Sequence, residues 1–195
     1  MTRYLLCGGN DRAYAEFSSR MQDEINDFIS EPRMLAVMFA SPHNERNEKF
    51  QSWKKWWDQS GIVFADYMLA NADNFLEQIA KSNIVFFHGG DNQLTFNSLE
   101  YFGDLSGCLH GKLVIGSSAG AFWLSKTYFS RSAGEWKMGK NIVPYNIMCH
   151  YGVSEQDNPI DDWQACEKLI TKFNGDKPDD ILNLREGQVF AYEDN

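Results

Sequence analysis

Lys112-Leu113-Val114-Ile115-Gly116-Ser117-Ser118-Ala119-Gly120-Ala121 is the stretch from which the fold can be read. Leu113 to Gly116 fits a strand, and Ala121 to Phe129 looks helical. Between them lie small residues only, in the spacing G-x-S-x-G. Strand, sharp turn and helix form the context in which that spacing lifts a serine hydroxyl above a sheet. The small neighbours are needed because the elbow strains the serine backbone and brings other atoms close. The turn also aims the next backbone N–H, that of Ala119, at a reacting oxygen. That N–H stands at the start of a helix, whose dipole favours negative charge. Ser118 is thus the candidate nucleophile, while Ser117 reads as a small residue finishing the strand.

Outward from the elbow the chain alternates short apolar runs with helical patterns. Tyr4 to Cys7, Met34 to Ala40, Ile62 to Leu69 and Ile84 to Phe87 read as strands. Phe17, Met21, Ile25 and Phe28 recur at helical spacing, as do Phe50, Trp53, Trp56 and Trp57, and Asp73 to Ala80 reads as a further helix. Such alternation implies right-handed crossovers and an α/β fold, a mostly parallel sheet with helices on both faces. Ligands of these sheets bind outside the carboxyl ends of the strands. That rule selects three turns: Gly8-Gly9-Asn10, His88 to Asn92, and Gly116 to Gly120. In the last third, Ser130 to Lys140 reads as a loop and Ile147 to Tyr151 as a short strand. Ile160, Trp163, Cys166, Leu169, Ile170 and Phe173 mark an amphipathic helix, and Ile181–Leu184 with Gln188–Tyr192 suggest a closing hairpin.

The 195 residues suffice for one domain, 1–195, with its own core. The formal net charge of −9 opposes binding to phosphate backbones and anionic membranes, so neither nucleic acid nor membrane is an expected partner. No apolar run reaches the roughly 18 residues of a membrane helix, and the N-terminal apolar patch is short for a signal peptide. Cys7, Cys108, Cys149 and Cys166 are scattered without a CxxC pair, which suggests reduced thiols and a cytoplasmic location. The assembly state is not specified, and a homodimer stays open.

A serine nucleophile needs a base. The histidines are His43, His88, His110 and His150. His110 precedes the strand that leads to Ser118, which places it at the wrong end. His43 follows a strand and belongs at the rim. Spacing leaves His88 and His150 both open. Cys149 stands beside His150, but adjacent strand residues point to opposite faces. A zinc site from His88, Asp91 and His150 would lack the tight spacing of metal-binding motifs.

Gly89-Gly90-Asp91-Asn92, Gly116-Ser117-Ser118-Ala119-Gly120-Ala121, His150-Tyr151 and Leu184-Arg185-Glu186-Gly187 occur in this order. With these motifs nearly the whole chain resembles the aspartyl dipeptidase (peptidase E) and cyanophycinase family of serine peptidases. That family is similar in fold to the class I glutamine amidotransferases, a flavodoxin-like architecture. The resemblance implies a catalytic set of Ser118 as nucleophile, His150 as general base and Glu186 as the acid orienting it. It implies an oxyanion hole from the backbone of Gly90, Asp91 and Ala119, with Gly89 and Asn92 beside the substrate. The implied substrate is a small peptide, with no metal and no organic cofactor. Three features depart from the family: Asp91 stands where a third glycine is usual, Gly152 to Asp162 holds no Arg or Lys to grip a substrate aspartate, and the C-terminal strands look trimmed. The expected activity is therefore a dipeptidase-like serine peptidase of open side-chain preference. The alternatives are a weak or inactive amidotransferase-like binding domain and an esterase.

Overall fold

The computed structural model describes residues 1–152 and 181–194. The alternation seen in the sequence becomes an α/β fold built on a six-stranded sheet. Its strands are β1 (Thr2–Cys7), β2 (Arg33–Val37), β3 (Asp66–Leu69), β4 (Ile84–Phe87), β5 (Leu113–Ser117) and β10 (Val189–Asp194). Their order is β10-β1-β5-β4-β2-β3, parallel throughout except for β10, which runs antiparallel to β1.

The period of two along the strands divides the core. Leu5, Cys7, Ile84, Phe86, Leu113 and Ile115 face α1 (Ala15–Phe28) and α2 (Arg46–Gln59), which contribute Phe17, Met21, Ile25 and Trp57. Tyr4, Leu6, Val85, Phe87 and Val114 face the other side. There they meet α3 (Phe75–Lys81), α4 (Asn92–Glu100), α5 (Ser106–Leu109) and α6 (Ala119–Leu124). Burial on both faces explains why the strands read as unbroken apolar runs. No helix among the described residues is long and apolar enough to cross a membrane.

The last third departs from the sequence expectation. The helix from Ala121 ends at Leu124, where the Ser125 hydroxyl donates to the Phe122 carbonyl. Thr127–Ser130, β-branched and aromatic, is strand β6. The supposed loop contains β7 (Glu135–Met138), which pairs antiparallel with β6 around a turn closed by Gly134 N–H to Arg131 C=O. β8 (Asn146–Met148) and β9 (Ile181–Asn183) complete a second sheet of order β7-β6-β8-β9. The expected closing hairpin does not form: β9 pairs with β8, and β10 crosses to the edge of the first sheet. Both faces of β10 are apolar. Phe190 and Tyr192 pack on one core and Val189 and Ala191 on the other, so the main sheet buries what a two-stranded hairpin would leave exposed. Two strands are also shorter than their apolar runs: Met34–Ala40 is extended only to Val37, and Ile62–Leu69 only from Asp66. The amphipathic pattern Ile160–Phe173 lies outside the described residues.

Candidate active site

β5 ends at Ser117 and α6 begins at Ala119, so Ser118 makes the whole change of direction. Its backbone has φ 46° and ψ −108°, a strained conformation for an L-residue. Two hydrogen bonds hold it: Ser118 N–H donates to the Cys7 carbonyl at 3.1 Å, and Phe122 N–H donates to the Ser118 carbonyl at 2.8 Å. The flanking glycines answer to close approach. A Cβ on Gly120 would lie 2.0 Å from the Phe87 carbonyl oxygen, and one on Gly116 would lie 2.7 Å from Leu124 Cδ1.

His150 and Glu186 reach the same point from separate segments. His150 follows β8 in a left-handed conformation, φ 56°, with its N–H donating to the Gly8 carbonyl at 3.0 Å. Its ring lies on Gly9, where a Cβ would sit 2.3 Å from Cε1. Glu186 sits in the turn between β9 and β10, and that turn is tied down by Gly187 N–H donating to the Gly9 carbonyl at 3.0 Å. The turn after β1 therefore seats both groups.

The result is a continuous line. Ser118 Oγ is 3.0 Å from His150 Nε2, and His150 Nδ1 is 2.9 Å from Glu186 Oε1. With Nδ1–H donating to the carboxylate, Nε2 is left to accept from the serine hydroxyl. Glu186 Oε2 accepts from Asn10 Nδ2 and from the Tyr14 hydroxyl, both at 3.1 Å. Desolvation pushes the Glu186 carboxyl up, but the hydrogen bonds from Asn10, His150 and Tyr14 outweigh it and hold the group below its ordinary value. It is thus an anion at neutral pH.

The other histidines are elsewhere. His43 is exposed in a short turn after β2, and His110 is exposed at the amino end of β5. His88 directly follows β4 but is buried, stacked on Phe86 with Trp53 edge-on, and neither ring nitrogen has a hydrogen-bond partner. Burial, then the Arg12 charge, push that imidazole well below its ordinary value. The Cys149 thiol donates to the Cys7 carbonyl at 3.7 Å, and burial pushes its ionisation well up.

The glycine-rich turn after β4 divides its tasks. Gly89 and Gly90 line a cavity of about 380 Å³ together with Ser118 and His150. The N–H groups of Gly90 and Ala119 have no acceptor among the described residues. Asp91 is different from what the resemblance implies. Its N–H donates to the Ala40 carbonyl at 2.9 Å, and its side chain caps α4 by accepting the Leu94 N–H at 2.8 Å. Its amide is already engaged, and its carboxylate is held at the helix N-terminus. Asn92 opens α4 and lines a neighbouring groove of about 630 Å³ that shares Gly90 with the first cavity.

The serine cavity also holds residues the sequence did not single out. Asn10, Asp11 and Arg12 come from the turn after β1, and Trp53 from α2. The Arg12 guanidinium lies 4.7 Å from the Trp53 ring centre and donates to Ser52 Oγ at 2.8 Å. The carboxyl-end rule had marked Gly8-Gly9-Asn10, and extending that turn by two residues would have reached Asp11 and Arg12. Nothing in the tryptophan stripe separates Trp53 from its buried neighbours.

Fold and site together define a class: a flavodoxin-like α/β protein with a serine elbow at a strand end and a histidine and a glutamate in line behind it. No protein-family model matches the chain, and no curated protein matches it. Among solved structures it is similar to one from Listeria monocytogenes EGD-e described as a "Putative Peptidase E Protein", with a TM-score of 0.61, 16% identity and 100% of each chain covered. At that identity the likeness is one of fold.

Proposed function

We propose that this chain is a serine hydrolase that cleaves small peptides or amides by acyl transfer. The carrying observation is the line Ser118 Oγ–His150 Nε2–Nδ1–Glu186 Oε1, with spacings of 3.0 and 2.9 Å, built on a strained serine. The name of the solved structure it resembles agrees with this reading.

In the proposed reaction Ser118 attacks the carbonyl carbon while His150 Nε2 takes its proton. Glu186 holds the Nδ1–H tautomer and stabilises the imidazolium. The Gly90 and Ala119 N–H groups bind the oxyanion, worth roughly 3 kcal/mol each. His150 returns the proton to the leaving amine. Water, deprotonated by the same imidazole, then releases the acyl group and restores Ser118. Arg12 carries no carboxylate partner among the described residues and is held by Trp53 and Ser52, which suits it to a carboxylate on the substrate.

A fluorophosphonate probe tests the reading. The expected result is a single adduct on Ser118 that disappears in Ser118→Ala, together with any peptidase activity. Labelling at another residue sinks the assignment. A wild type that stays unlabelled favours the binding-domain alternative.

A further inference from the structure

Asp11 is a carboxylate with no part in the Ser118–His150–Glu186 line. It lies in the turn after β1 and is 2% exposed. Among the described residues no lysine or arginine pairs with it. A buried carboxylate without a cation is costly, and its hydrogen bonds show what it holds. Oδ1 accepts the Gly9 N–H at 3.2 Å. Oδ2 accepts from the Ser117 hydroxyl. Ser117 directly precedes Ser118, and Gly9 is the residue on which the His150 ring lies.

On the reading of Ser118 as nucleophile, we propose that Asp11 is a positioning residue of this centre. Its buried anion ties the elbow to the turn that seats His150, and its charge favours the imidazolium His150 becomes during attack. Burial raises the Asp11 carboxyl to about 6, against the hydrogen bonds from Ser117 and Gly9 and the pull of His150, with Glu186 adding to the rise. The interaction is mutual, so the charge of Asp11 stabilises the imidazolium that forms as Ser118 attacks. The other ionisable groups facing Asp11 are Cys7 of β1 and Cys149 beside His150, two thiols whose ionisation burial pushes well up. They stay neutral through the acid and neutral range. Among the described residues His150 and Glu186 act on Asp11, the Arg12 guanidinium lines the same cavity, and Arg131 donates to the His150 carbonyl at 3.0 Å.

The rate of fluorophosphonate labelling at Ser118, followed from about pH 5 to about pH 9, reads the nucleophile without a known substrate. Asp11→Asn removes the charge and can keep both hydrogen bonds, its amide oxygen accepting from Gly9 and its N–H donating to Ser117. Expected is a fall of at least ~10-fold at about pH 8. The acid limb of the log rate should also be steeper in the wild type than in the variant, which lacks the Asp11 proton. Ser117→Ala removes a hydrogen bond that lowers the Asp11 carboxyl, so it should move the limb to higher pH. A wild-type rate and limb in Asp11→Asn overturn the proposal. If that variant does not fold, an unshifted limb in Ser117→Ala overturns it. A wild type that never labels at Ser118 overturns the underlying reading and this inference with it.

Discussion

Ser118 adopts φ 46° without being glycine, and His150 adopts φ 56° in the same site. Each such residue costs of order 1–3 kcal/mol and persists only where the surroundings over-determine it. Here the surroundings are backbone: the Cys7 and Gly8 carbonyls receive the two N–H groups, and Gly9 leaves room for the imidazole. Glu186 is restrained in another way, by the Asn10 amide and the Tyr14 hydroxyl on the oxygen turned away from His150. In the proposed mechanism its charge matters as well as its geometry. Glu186→Gln keeps the shape but lets the His150 tautomer reverse, so hydrolysis and probe labelling should fall by ~10²–10⁴-fold while the melting curve hardly moves. Labelling kinetics beside a circular dichroism melt checks this. An unaltered labelling rate would remove Glu186 from the mechanism.

The turn between β1 and α1 is the element that organises the site. Gly9 accommodates the His150 ring, Asn10 and Tyr14 hold Glu186, Asp11 binds Ser117, and Arg12 stands at the cavity on the Trp53 ring. That concentration also sets a specificity prediction. If Arg12 receives a substrate carboxylate, Arg12→Gln should raise KM for carboxylate-bearing peptides by ~10-fold or more and leave their neutral amides unaffected. A panel pairing free-acid with amidated dipeptides, and acidic with uncharged side chains, would separate an α-carboxylate from a side-chain one. Equal losses on charged and neutral substrates would rule Arg12 out as that contact. Elements were legible in the sequence where one period dominated. β1, β4 and β5 were continuous apolar runs, and α1 repeated at three and four. The stretch after Leu124 was not, because apolar Phe122–Leu124 and Tyr128–Phe129 flank Ser125-Lys126-Thr127, and in the fold the Ser125 hydroxyl marks where the helix stops.

At the scale of the molecule, the three catalytic candidates come from positions 118, 150 and 186, and a sheet edge closes the distance between them. β10 pairs with β1 rather than with β9, which carries the Glu186 turn over the end of β1. Local pattern could not foresee that pairing, since Ile181–Leu184 and Gln188–Tyr192 are a plausible hairpin when read alone. The parallel sheet and the strand-end location of the site were foreseeable, because they follow from the strand–helix alternation. The engagement of the Asp91 amide by Ala40 was not, since it depends on the loop after β2. Whole-molecule stability should carry the mark of Asp11. Its carboxyl lies at about 6 in the folded chain against an ordinary 3.8, so between those values the folded state binds more protons than the unfolded one. Stability should therefore fall as pH rises through that window, by up to about 3 kcal/mol, and stay lower above it. Asp11→Asn should flatten that dependence in urea titrations and be no less stable than the wild type at neutral pH, even as it loses reactivity. A variant equally pH-dependent would place the titration elsewhere. The central claim stands on one hydroxyl, and intact-protein and peptide mass spectrometry after fluorophosphonate treatment tests it most directly. The account predicts one adduct per chain, on Ser118, abolished in His150→Ala. Stoichiometric labelling of any other residue, or of Ser118 at an undiminished rate without His150, would contradict it.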